Sequence, residues 1–191
     1  MELLEAINGR RAVRDCRVES VSDAVLRGLS GLAVQAPSAV NQQPWSFVVV
    51  KDKALLTHIS DQAKAHMLKT PLAAPLRRLR DMLVDPNFHL FYHAPVLIVI
   101  CAVDAGNFGV EDCALAAENL MLAAYAKGLG TCWVGLAQSW LGTADGKSAL
   151  GLPAAFAPVA PIILGHPRRQ PDPVPRKAPD IRWLEASERK S

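Results

Sequence analysis

The run Val96-Leu97-Ile98-Val99-Ile100-Cys101-Ala102-Val103 constrains this chain more than any other segment. It is apolar without a break and rich in β-branched side chains, and Ala94-Pro95 introduces it, so it reads as a strand buried on both faces. Such a strand belongs at the centre of its sheet. Three shorter segments read as its companions: Ser46-Phe47-Val48-Val49-Val50, the turn from Gly128 to Gly135 with the strand it enters, and Pro158 to Gly165.

Helices are expected around these strands. Leu3, Leu4 and Ile7 have helical spacing, and Asn8-Gly9 supplies the stop. Ser20 or Ser22 can cap a second helix striped by Val25, Leu26, Leu29, Leu32 and Ala33. Leu55, Leu56, Ile59 and Ala63 suggest a third, and Leu76, Leu79, Met82 and Leu83 a fourth beyond Pro71 and Pro75. From Glu111 to Lys127 nearly every residue is a helix former, apolar almost all round, with Gly128 placed to end it. That helix is covered either by its own core or by core and a second subunit together. Ser148 to Pro153 looks like a helix end. The order of elements is α+β in one domain spanning 1–191, without repeats. Strict βαβ alternation and a G-x-G-x-x-G after the first strand are both missing, which argues against a Rossmann dinucleotide site.

With 191 residues, half of them apolar, the chain can fold without staples. A compact monomer of this size keeps roughly 9,000 Å² of accessible surface. No apolar run reaches the roughly 18 residues of a membrane span, and a net charge of +3 is too small to argue for a nucleic-acid partner. Cys16, Cys101, Cys113 and Cys132 form no C-x-x-C pair and read as buried free thiols. The opening residues lack the basic region and cleavage site of a secretory signal, so a reducing cytoplasm is expected. His89-x-x-x-His93 would share a helix face but has no third metal ligand beside it. Residues 166–180 hold five prolines and four basic residues, a tail that either moves freely or lies extended on something else.

Three segments carry candidate chemistry. Arg10, Arg11 and Arg14 could hold one phosphate, since guanidinium forks bind phosphate at two points, or could form an ordinary solvated basic loop. Ser38, Asn41, Gln42 and Gln43 lie in a proline-bounded loop whose neutral donors and acceptors could read a polar ring edge. Gly128-Leu129-Gly130-Thr131-Cys132-Trp133-Val134-Gly135 allows close approach of backbone amides to a ligand, or is a plain helix-to-strand turn.

In this order the segments resemble the nitroreductase family of flavin-dependent oxidoreductases. The matches are Arg10 to Arg14, Ala36-Pro37-Ser38-Ala39-Val40-Asn41-Gln42-Gln43-Pro44-Trp45 with its following strand, Asp112 to Gly135, and Ile163-Leu164-Gly165-His166-Pro167. The resemblance implies a central mixed sheet flanked by helices and a domain-swapped homodimer with FMN at the subunit interface. It implies NADH or NADPH as donor and a small electron-poor acceptor, with hydride carried by flavin N5 and no catalytic side chain or metal. Arg10, Arg11, Ala12 and Arg14 match positions at the FMN phosphate and pyrimidine edge. Pro37, Ser38, Ala39, Asn41 and Gln43 match the loop that reaches the flavin from the partner. Trp133, Val134 and Gly135 match the turn whose backbone N–H faces N5, and Arg176 and Lys177 match a basic pair with which the tail returns to the phosphate. Relatives of the same fold consume flavin, remove halogen or dehydrogenate peptides, and a flavin-storage role is a further alternative. Ala12 stands where serine is common and Cys16 where an aromatic is common. Residues 66–93 follow no recognised subgroup; Phe88, Phe91 and Tyr92 there are either a lid or packing residues, and packing is the expectation.

Overall fold

The computed structural model describes residues 1–69, 79–103 and 108–184. Leu76 of the expected fourth helix and the Pro71 and Pro75 that precede it lie outside them, as do tail residues 185–191.

Four strands form one sheet in the order β1-β2-β4-β3, with β1 at Trp45–Val50, β2 at Val96–Ala102, β3 at Gly130–Trp133 and β4 at Ala157–Gly165. All three strand pairs are antiparallel. A parallel bridge between Ala12 and Thr131 at the β3 edge makes the sheet mixed. Every residue of β2 is buried, for a reason its two faces make plain. Val96, Ile98, Ile100 and Ala102 enter one core with β4 residues Ile162 and Leu164, beneath helices α2 (Asp23–Ala33) and α5 (Gly109–Ala126). Leu97, Val99 and Cys101 enter the other core, beneath α3 (Lys53–Lys69), the 88–94 segment and the short helix Gln138–Leu141. The period of two thus sorts one unbroken apolar run into two cores. Each fully buried Leu or Ile contributes about 1.5–3 kcal/mol.

The expected helices form, with edges set by local chemistry. Ser22, not Ser20, caps α2 by accepting the Val25 N–H. The helix at Arg80–Val84 carries Met82 and Leu83. In α5 the residues facing the sheet and α2 include Ala116, Ala117, Leu120 and Ala124, whose small side chains allow close packing of helix on sheet. The first helix, Leu3–Gly9, buries only Ala6, leaving Leu3, Leu4 and Ile7 exposed.

Two expectations are corrected. His89 and His93 share no helix, because residues 86–94 form turns and Tyr92 and His93 take φ of +53°. Their rings still lie 4.5 Å apart, centroid to centroid. Cys16 is only half-buried, since its isolated bridge to Pro167 lies at the surface, whereas Cys101, Cys113 and Cys132 are buried; all four thiols are free. Phe91 is fully buried, with Phe88 and Tyr92 packed edge-to-face beside the same core.

Residues 172–184 are exposed throughout and have no regular structure. Trp183 is 81% and Leu184 96% exposed. The total accessible surface, 11,940 Å², exceeds the compact expectation by about 3,000 Å², as an extended tail requires.

Candidate functional site

The two most distinctive polar segments sit on opposite edges of the sheet. Residues 37–43 lead into edge strand β1, while the arginine segment is fixed to edge strand β3 by the Ala12–Thr131 bridge and by Val13 N–H donating to Thr131 O at 2.9 Å. Three strand spacings separate those edges, about 14 Å. No hydrogen bond or ion pair joins the segments among the described residues.

Gly130 permits the docking of the arginine segment. A Cβ there would lie 2.6–2.8 Å from three carbons of Val13, which is 4% exposed. From this base the three arginines diverge. Arg10 Nε pairs with Glu118 of α5 at 3.3 Å. Arg11 Nη1 donates to Asn8 O at 2.7 Å and Arg10 O at 2.8 Å, closing the end of the first helix, while its Nε is buried without a partner. Arg14 is exposed and lies 5.8 Å from the Tyr92 ring centroid in a cation–π contact. The Cys132 thiol lies near Arg14 and donates to Trp133 O at 3.6 Å. Burial pushes that thiol up, and the nearby Arg14 and Arg10 charges pull against it. Cys16, half-buried beside Asp15, is raised to about 11, chiefly by burial.

Trp133, the last residue of β3, is half-buried, and Val134 after it is buried. Val134 N–H is spent on Pro161 O at 2.8 Å, which leaves the N–H groups of Leu136 and of Gly135, the exposed first residue of the 3-10 turn Gly135–Ala137, as the open backbone donors at this turn. A cleft of about 230 Å³ lies between Ala12, Val13, Arg14, Asp15, Arg169 and Pro171. That is less than the roughly 300–1,000 Å³ of a pocket enclosing a drug-sized ligand. Arg176 and Lys177 are exposed and make no hydrogen bond or ion pair with any described residue.

On the other edge the loop is held in a strained shape. Val40, Asn41 and Gln43 have φ of +46°, +56° and +50°, costly for residues with a Cβ and most of all for β-branched Val40. Ser38 Oγ accepts from Gln43 N, and Gln43 Nε2 donates to Asn41 Oδ1, both at 3.0 Å. Pro37, Val40, Asn41 and Gln43 project outward, Val40 being 89% exposed. Ala39 N–H donates to Asp112 Oδ1 of α5 at 3.1 Å. Asp112, Glu118 and Arg169 join these segments without having been expected from their sequence. Asp112 and Glu118 stand with Glu111 as the three acids of a helix otherwise largely apolar, and nothing in the local sequence sets Asp112 apart from the other two.

Helices on both faces of an antiparallel sheet, with an N-terminal arginine segment on one edge strand and a strained polar loop at the other, define an α+β class of fold. The chain belongs to the nitroreductase family, whose sequence pattern it matches over residues 7–166. It is 28% identical over 175 residues to a Methanothermobacter thermautotrophicus protein provisionally named NADH dehydrogenase/NAD(P)H nitroreductase, covering 90% of this chain and 80% of that one. It is 32% identical over 179 residues to the 5,6-dimethylbenzimidazole synthase of Rhodospirillum rubrum, covering 87% and 82%. Among solved structures, an FMN-bound nitroreductase from Desulfitobacterium hafniense superposes with a TM-score of 0.79 at 27% identity, over 97% of this chain and all of that one. One from Bacteroides fragilis, also with FMN, reaches 0.85 at 24% identity over the same shares, a likeness of fold. No helix among the described residues is long and apolar enough to cross a membrane.

Proposed function

We propose that this chain is a one-domain protomer of a homodimeric FMN-dependent oxidoreductase. It takes hydride from NADH or NADPH and passes it to a small electron-poor acceptor, a nitroaromatic or a quinone, with donor and acceptor using one cavity in turn. The observation that carries the reading is the buried, unpartnered Nε of Arg11 within a segment that also presents Arg10 and Arg14. A buried donor left open costs free energy, which a phosphate oxygen offsets through a charge-assisted bond. When bound, FMN supplies hydride chemistry at N5.

Arg10, Arg11 and the Ala12 backbone hold the phosphate in this reading, with Arg176 and Lys177 returning to it from the tail. Arg14 stabilises negative charge at the pyrimidine edge of the reduced ring. Trp133, Val134 and Gly135 flank the ring, with Gly135 N–H as the donor. Pro37, Ser38, Ala39, Asn41 and Gln43 reach it from the second copy. Sharing between copies is supported by the placement of the two segments on opposite edges, by the small cleft within one chain, and by the exposed Leu3, Leu4, Ile7, Trp183 and Leu184. Four free thiols favour a reducing compartment such as the cytoplasm.

The test is the absorption spectrum of the purified protein and a fluorescence titration with FMN, followed by NAD(P)H oxidation with a quinone. Yellow protein, stoichiometric FMN and steady turnover are expected; colourless protein that takes up no FMN overturns the reading. The 32% likeness to 5,6-dimethylbenzimidazole synthase favours a second reading, in which the flavin is itself consumed. Full recovery of FMN after prolonged incubation with NADPH in air excludes it.

A further inference from the structure

We propose that Asp112 is the positioning residue for the Pro37–Gln43 loop, acting as a remote cap that holds its strained turn in the outward, ligand-reaching shape. This rests on the reading of that loop as part of the flavin site.

The loop lacks a local cap. Ser38 is the residue before the 3-10 turn Ala39–Asn41, where a serine hydroxyl ordinarily accepts one of the turn's open N–H groups. Here it makes no such bond, because its Oγ is engaged by Gln43 N–H at 3.0 Å. Such a cap serves the second or third N–H of a turn, so the first donor, Ala39 N–H, needs an acceptor from elsewhere, and the backbone of the loop offers none. Asp112 supplies one from α5, 73 residues away, at 3.1 Å. The side chain is dedicated to this task. It is 4% exposed, and its second oxygen, Oδ2, is buried without a hydrogen-bond partner. Burying a carboxylate with one oxygen open is costly, so its presence calls for a compensating role. Its place in the first turn of an 18-residue helix lowers that cost, because the helix N-terminus favours negative charge. Three left-handed residues follow within four positions of the anchored amide, and such a shape persists only where the surroundings over-determine it.

The required chemistry is an acceptor at Oδ1, so the amide should replace the acid. Asp112→Asn keeps that acceptor and exchanges one unpartnered polar atom for another. Asp112→Leu removes both. From the other side, Ala39→Pro deletes the donor at the first position of a turn, where proline's φ is tolerated, and follows Ser38, whose φ of −137° and ψ of +151° suit a residue preceding proline.

The readouts are site-resolved amide exchange of residues 38–43 in the FMN-free protein, FMN affinity by fluorescence titration, and the thermal midpoint. In D112L, exchange at Ala39, Asn41, Gln42 and Gln43 should rise on the order of tenfold and FMN affinity should fall on the order of tenfold to hundredfold, the worth of a hydrogen bond to a charged group. D112N should restore both, and A39P should reproduce the loss of affinity and of exchange protection at 41–43. The thermal midpoint of D112L should not fall in proportion, because removing a half-satisfied buried carboxylate offsets part of the loss. If D112L fails to fold, the A39P and D112N pair decides alone. Unchanged loop exchange in D112L or A39P overturns the proposal, as does a D112N as impaired as D112L. Wild-type protein that takes up no FMN, with loop exchange still governed by Asp112, would instead refute the flavin reading and leave the anchor standing.

Discussion

Gly130→Ala tests whether the arginine segment owes its position to close docking on β3. The added Cβ would lie 2.6, 2.7 and 2.8 Å from Val13 Cγ1, Cβ and Cγ2, against about 3.5–4.0 Å for ordinary carbon contact. Because Cβ itself is among the three, no rotamer of Val13 clears the clash, and the backbone of the segment must move by about 1 Å. Overpacking of this kind costs about 1–3 kcal/mol, and weakening the Val13 N–H to Thr131 O bond adds about 1 kcal/mol. The loss should read as a lower urea midpoint with an unchanged slope. FMN affinity should fall on the order of tenfold or more, since Arg10, Arg11 and Arg14 move with Val13. Val13→Gly should itself cost about 2–4 kcal/mol, from lost burial and added backbone freedom. In the double variant the clash is gone, so its cost should fall short of the sum by about 1–3 kcal/mol. Strict additivity, or a Gly130→Ala protein that binds FMN as tightly as wild type, would refute the docking argument.

Double-reciprocal plots of NAD(P)H oxidation at several quinone concentrations should give parallel lines; intersecting lines would show that donor and acceptor bind together and would end the one-cavity reading. The thermal midpoint should rise with protein concentration and with added FMN if the folded, loaded state is a dimer. Truncation after Gln170 should weaken dimerisation and FMN retention together in sedimentation and titration, while keeping the bonds of His166 and Arg168 to residues 15–17 that a cut before His166 would break; a monomeric full-length protein that still holds FMN stoichiometrically contradicts the shared site. Burial and the neighbouring His93 lower His89 to about 4 from an ordinary 6.5, so the stability it contributes is present above pH 6.5 and lost as pH falls toward 4. His89→Asn keeps an acceptor for Phe91 N–H but removes the titration, and should flatten the stability profile across that window; an unchanged profile rules out His89 as its source.

The sequence by itself determined the elements and most of the candidate residues. Strand β2 was legible because eight consecutive apolar residues leave no solvent face, and the first helix, α2 and α5 because their stripes, caps and terminal glycines are local signals. The resemblance carried by Arg10 to Arg14, Pro37 to Trp45 and Gly128 to Gly135 marked the candidate segments before any contact was known. Only the tertiary structure decided how those segments stand to each other. Strand order and antiparallel pairing are set by which faces can be buried together, and they put the loop and the arginines on opposite edges of the sheet. The same packing turned Arg11 back onto the first helix, sent Arg10 to Glu118 and brought Asp112 to Ala39. It also unmade the helix on which His89 and His93 had the right spacing, because Tyr92 and His93 adopt left-handed backbone to turn the chain into β2. Periodicity records what each residue needs from its immediate neighbours, whereas these contacts are fixed by burial between segments far apart in the chain, and no local pattern encodes them.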